Sequence, residues 1–178
     1  MPKSCLGFYD VFQKNPFEYV NDELIISSEE VKIYNQSWNS KTIRSIYGDF
    51  IYDAIKNNDV LCSGIIGGPS NKFISFCDSI IKESRKYSFL NFYGMDQPII
   101  QKLIYFDKCD IKILNHETAF CINLYVINEF TGNYKNVIIS NNKVLNKENL
   151  FSIVHQYNKM SELYTNIHNH YLKNFIPI

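Results

Sequence analysis

The sequence predicts an α/β fold, a mixed sheet flanked by helices, in a single domain spanning residues 1–178. Two patterns point there. Short apolar runs closed by turn residues alternate with longer segments whose apolar residues recur at helical spacing. The hydrophobic share is 46% and the aromatic share 15%, a composition that packs a core instead of staying disordered. A chain of 178 residues is one domain by size and long enough to bury that core.

Gly7 to Phe12 is a short apolar run, closed by the turn signal Gln13-Lys14-Asn15-Pro16. Leu24-Ile25-Ile26 reads as a strand. From Asn39 to Lys56 the residues Ile43, Ile46, Tyr47, Phe50, Ile51 and Ile55 recur at helical spacing, with a weak point at Gly48. Val60 to Ile66 reads as a buried strand that runs into Gly67-Gly68-Pro69. Ser70 is the expected N-cap of a helix reaching about Tyr87. Its apolar face would be Phe73, Phe76, Cys77, Ile80 and Ile81. Asp96 can cap the next helix, with Pro98 in the first turn and Ile99, Ile100, Leu103 and Ile104 as the buried stripe. Ile111–Leu114, Ala119–Ile127, Asn136–Ile139 and Phe151–Tyr157 read as strands. Ser161 would cap a last helix to about Lys173.

Whole-chain properties exclude several functions. Lys+Arg and Asp+Glu both total 18, so no net basic surface is available to displace counterions from a nucleic acid. No stretch reaches the roughly 18 apolar residues of a membrane span. Met1 to Gly7 lacks an apolar core with a cleavage site, so no signal peptide is read and a cytoplasmic protein is expected. The five cysteines, Cys5, Cys62, Cys77, Cys109 and Cys121, form no C-x-x-C pair, which suits free thiols better than a disulfide framework or a structural zinc.

Three segments carry candidate chemistry. In Cys62-Ser63-Gly64-Ile65-Ile66-Gly67-Gly68 a strand ends in small residues, where a ligand can approach the backbone and the next helix offers free amides. The same segment also fits a plain strand-to-helix turn. In Gly94-Met95-Asp96-Gln97, Asp96 is either a helix cap or a carboxylate that orients sugar hydroxyls or serves as a general base. Gln97 beside it can donate and accept. In Ile153-Val154-His155-Gln156-Tyr157, His155 stands at the polar end of an apolar strand, either as a surface histidine or as a metal ligand. His168 and His170 are two apart, poor spacing for a shared metal on a helix. His116 reads as loop surface. Trp38 offers an apolar face either to the core or to a sugar ring.

In this order the three segments resemble the C-terminal, sugar-handling part of GT-A-type glycosyltransferases. There a strand with an "SG-small-small-G" end, an "Asp-Gln" pair opening a helix and an "HQY"-like strand end follow one another. Asp10-Val11-Phe12-Gln13-Lys14-Asn15-Pro16-Phe17 is similar to the segment in which that family's metal motif leads into "DV-F-Q-x-x-PF". The resemblance runs from Asp10 to Tyr157. It implies a truncated GT-A fold and transfer of a sugar from a nucleotide-sugar donor to a hydroxyl of a glycan or protein acceptor. It further implies Asp10 and His155 as ligands of Mn²⁺ or Mg²⁺, Ser63 and Gly64 lining the donor sugar, Trp38 stacking on a ring, and Asp96 and Gln97 as catalytic residues. It would bring Asp10, Asp96 and His155 into one cleft.

The pattern departs from the family at Gly7-Phe8-Tyr9, where further charged residues are expected, and at Gln101, where an Asn is expected. A GT-A fold also carries a nucleotide-binding half upstream of its metal motif, whereas nine residues precede Asp10. An alternative reading is a non-catalytic remnant that acts as a binding or interaction module. A third is an unrelated α/β protein in which the motifs are turns and caps. An incomplete sheet would also leave an edge that a second copy of the chain could cover, as a homo-oligomer.

Overall fold

The computed structural model describes residues 10–19, 21–90, 94–118, 120–124, 137–141, 143–147, 149–156 and 164–166. In chain order the strands are β1 (Val11–Phe12), β2 (Ile25–Lys32), β3 (Asp59–Gly67), β4 (Lys112–Leu114), β5 (Cys121–Asn123), β6 (Val137–Ser140), β7 (Lys143–Asn146), β8 (Asn149–Leu150) and β9 (Ile153–His155). The helices are α1 (Ser37–Ile55), α2 (Ser70–Arg85) and α3 (Asp96–Gln101), and α3 runs on into a π-helical turn at Lys102–Phe106. The fold is therefore mixed α/β. Where one sheet was expected, the described strands form three-stranded sheets. The chain divides into two compact units, residues 17–115 and residues 1–16 with 116–178.

In the 17–115 unit the sheet order is β3-β2-β4, with β2 antiparallel to β3 and parallel to β4. β2 is central, and Ile25 through Glu29 are buried. Its pairing with β3 is irregular. Ile26 faces Ile66, but Ser28 faces Leu61, so β3 bulges outward over the intervening residues. Gly64 lies in that bulge and is exposed, which is where a glycine inside a strand belongs. One core cluster joins Leu24, Ile26, Leu61 and Phe76 with Ile99, Ile100, Leu103 and Ile104. The stripe expected on α3 is thus the buried one. A second cluster joins Ile33, Ile43, Tyr52, Ile55 and Val60.

Helix α1 breaks at Gly48 (φ 75°, ψ 176°), the position its sequence marks as weak. Gly68 is held by packing. A Cβ there would lie 2.8 Å from Leu24 Cδ1 and 2.9 Å from Leu24 Cα, so the turn after β3 can close onto β2 only with glycine. The cap expectations need correction. Ser70 is the first residue of α2, Pro69 occupies the cap position, and no side chain caps the helix. Asp96 likewise stands inside α3, after Met95, and no side-chain cap bond is made. The expected face of α2 is also only partly covered: Phe76 is buried, whereas Phe73 and Ile81 are exposed.

In the other unit β9 is central, antiparallel to β1 and parallel to β5. Strands β6, β7 and β8 form an antiparallel meander. Gln13 fixes the N-terminal segment there. Its Nε2 donates to the carbonyls of Val144 and Phe151, each at 2.9 Å, and its Oε1 accepts from Val144 N at 2.9 Å. Both polar atoms of the amide are in use, in three hydrogen bonds, so this part of the motif is structural. His116 is corrected too: it is half-buried, with its ring edge-on to Phe151 at 6.3 Å. The helix expected from Ser161 to Lys173 lies largely outside the described residues, of which 164–166 are helical. No helix among the described residues is long and apolar enough to cross a membrane.

Candidate functional site

Register brings Asp10 and His155 together. Val11 pairs with Val154 in the antiparallel β1–β9 ladder, so the next residue out on each strand, Asp10 and His155, stand opposite. The carboxylate Oδ1 of Asp10 lies 2.6 Å from Nδ1 of His155, across 145 residues of chain. An ionised carboxylate only accepts, so in this pair Nδ1 is the donor. The amide of Gln156, at φ 55°, points at the same carboxylate oxygen from 3.4 Å. Both side chains are mostly buried, His155 at 15% and Asp10 at 12% exposure. On the other side β5 places the buried Asn123 opposite His155. Sequence reasoning passed over Asn123, because only the parallel register makes it a neighbour.

An oxygen and an imidazole nitrogen this close fit two adjacent donors of one divalent cation, which would take the place of the shared proton. That donor pair suits Mn²⁺ better than Mg²⁺, which prefers oxygen throughout. Among the described residues no group of three or more His, Cys, Asp or Glu is placed to hold a metal.

The other candidate residues lie in the 17–115 unit. Trp38 sits in the first turn of α1 and is 40% exposed. Its indole packs on Gly94: a Cβ at that glycine would be 3.0 Å from the ring. Gly94 also has φ 76°, which favours glycine a second time. Trp38 is therefore shared between packing and solvent, at the edge of the Gly94–Gln97 segment. Asp96 is exposed and, among the described residues, has no hydrogen-bond or ion-pair partner. The cap role is thereby removed, which leaves its carboxylate available to a ligand.

Gln97 is anchored. Its Nε2 donates to the Leu61 carbonyl on β3 at 2.8 Å and to Oε1 of Glu29 on β2 at 3.2 Å. One turn on, the fully buried Gln101 donates to Asn39 Oδ1 at 2.6 Å. Asn39 Nδ2 in turn donates to Gln36 Oε1 at 2.9 Å, and Gln36 also accepts from the Asn39 backbone. This chain ties α3 to the turn of α1 that carries Trp38. Gln101 has the reach for that span, which accounts for a Gln where the resemblance leads one to expect Asn. Glu29 and Asn39 carried no functional signal in the sequence, and Gln101 only that of a departure from an expected Asn, since each acts through a residue distant in the chain.

Ser63 and Gly64 lie in the β3 bulge, Ser63 half-buried and Gly64 exposed, with the backbone open to approach. Gly68 instead serves packing. Burial pushes the Cys109 thiol up, away from reactivity. Comparison of the chain with protein-family models, curated proteins and solved structures returned no match.

Proposed function

We propose that the chain is a glycosyltransferase-like protein that moves a sugar from a nucleotide-sugar donor to a hydroxyl of a glycan or protein, with a divalent cation. The observation that carries the reading is the 2.6 Å contact between Asp10 and His155. These two positions were singled out by motif order alone, and they meet through strand register. A hard cation held by the pair would neutralise charge on a departing diphosphate. Trp38 offers an aromatic face, Asp96 an unengaged carboxylate that suits a general base, and Gln97 an anchored amide. Ser63 and Gly64 offer an open backbone for the donor sugar.

The second reading, a non-catalytic remnant, is favoured by the sparse donor set: among the described residues only a pair, not a group of three, stands ready for the metal. One experiment separates the two. Thermal unfolding is followed with and without Mn²⁺ across UDP- and GDP-sugars. A rise that needs both the metal and one nucleotide sugar supports the transferase, because a ligand of the native state stabilises it. No shift at millimolar ligand supports the remnant.

A further inference from the structure

We propose that the cleft between α2 and the segment leading into β4 binds a small zwitterion with an apolar body, of amino-acid to dipeptide size, its carboxylate at Lys72 and its ammonium at Asp110. The site lies within the 17–115 unit and does not rest on the transferase reading.

The cleft measures about 440 Å³, a volume that suits a small molecule. One wall is the flank of α2 that carries Asn71, Lys72, Ser75 and Ser79, which recur at helical spacing. The two serines are short, and a larger side chain at either would fill the space. Leu24 and Phe76, both buried, give the lining its apolar part. Cys109 and Asp110 form the other wall. Backbone bonds fix that wall: the Cys109 amide donates to the Leu103 carbonyl at 3.0 Å, and the Lys112 amide to the Leu24 carbonyl at 2.8 Å.

The lining holds one cation and one anion, and the two do not pair with each other. Asp110 is exposed and, among the described residues, has no hydrogen-bond or ion-pair partner. Lys72 gives one ammonium N–H to the Asp22 carbonyl at 2.5 Å, which leaves two for a ligand. The Ser79 hydroxyl is turned back onto the Ser75 carbonyl at 3.0 Å. The Asn71 amide and the Ser75 hydroxyl stay available, to donate or to accept. A ligand with one charge would meet either Lys72 or Asp110 as a like charge. A zwitterion complements both, and its apolar side chain covers Leu24 and Phe76.

Cys109 can report occupancy, because it lines the cleft and is only half-buried. Cys77, half-buried on α2 and outside the lining, is the internal control. The full chain is alkylated with N-ethylmaleimide under mildly alkaline conditions, where thiolate forms, and each cysteine is followed by peptide mass spectrometry. The added compounds are leucine, leucyl-leucine, and the two singly charged analogues of leucine, isocaproate and isoamylamine. At ten times its half-protecting concentration a zwitterion should slow Cys109 about 10-fold and leave Cys77 unchanged, since only the empty cleft reacts. Isocaproate and isoamylamine should need roughly 3-fold or more higher concentrations, the worth of one partly exposed charge pair. Leucine against leucyl-leucine decides the size. Asp110→Asn should erase the preference over isocaproate, and Lys72→Met the preference over isoamylamine. Both are surface changes, so the melting temperature should stay within a few degrees. The proposal is overturned if neither zwitterion protects Cys109 up to its solubility limit. It is equally overturned if either singly charged compound protects as well as the zwitterion, or if both variants keep the wild-type ratios. The wild-type comparison decides by itself should a variant fail to fold.

Discussion

The two halves of the candidate chemistry are built differently. Asp10 and His155 are held by strand register: one antiparallel ladder places them opposite, and the Gln13 amide anchors the segment behind Asp10. Trp38 and Gln97 are held by buried side chains, through Gln36, Asn39, Gln101 and Glu29. Register places the pair through backbone pairing, so the ladder that holds the two strands does not depend on either side chain. A buried polar network places its residues through bonds that are costly to leave unmade. Function and stability should therefore separate in the first region and move together in the second.

The largest effects should come from the core beneath the second region. Ile99 is fully buried in the cluster that seats α3 on the sheet. Ile99→Ala should cost about 2–5 kcal/mol, read as a lower denaturant midpoint, and should weaken ligand binding along with it. In the first region, Asp10→Asn or His155→Ala should reduce Mn²⁺-dependent sugar-nucleotide binding or turnover by roughly 100-fold. The melting temperature without ligand should stay within a few degrees. A large loss of stability in either variant would show that the pair is structural, and the contrast between the regions would fail.

A smaller effect sharpens the contrast. Asn39→Ala removes the acceptor for Gln101 and the side-chain donor to Gln36, leaving Gln101 Nε2 with the Gln97 carbonyl at 3.3 Å and Gln36 Oε1 with the backbone amide of residue 39. The expected cost is about 1–3 kcal/mol. Ligand affinity should fall as well, because Trp38 adjoins Asn39 and Gln97 precedes Gln101 by one helical turn. Full affinity with reduced stability would detach the network from the site.

Much of this was legible in the sequence, for identifiable reasons. Apolar periodicity found the strands in 17–115 and the buried stripe of α3, since burial there follows local pattern. The break at Gly48 was legible because the residue type carries its own conformational preference. Motif order found Asp10 and His155, although only register explains their contact. The differences lie at helix starts, where Ser70 reads as a cap and Asp96 as either a cap or a functional carboxylate. Residue type suggests a cap, but one turn of backbone direction decides it, and both residues fall inside their helices. The apolar face of α2 is legible, but how much of it is covered is not, because spacing reveals amphipathicity and not what packs on it. The roles of Glu29, Asn39 and Gln101 are not legible in the sequence, because a buried polar residue becomes informative only once its partner, 62 residues off for Asn39 and Gln101, is known.

The smallest expected effect concerns pH, and it belongs to the same unit as the polar network. Glu83 on α2 is buried beside Lys86 and Lys102, and Lys102 also reaches Asp107 at 2.7 Å. Burial alone would raise the Glu83 carboxyl. Hydrogen bonds from Lys86 and Lys102 outweigh it and hold the group below the usual carboxylate range. A carboxylate whose folded value is depressed stabilises the fold above its unfolded value, near pH 4.3, and loses that contribution as pH falls through the folded value. The melting temperature should thus decline as the pH drops from about 4.5 towards 3. Glu83→Gln should shrink that decline by roughly 2–4 °C, at some cost in stability near neutrality, where Lys102 loses its buried partner. An unchanged acid slope would mean that the ion pairs contribute nothing there. The polar network and the α3 core would then hold this region unaided.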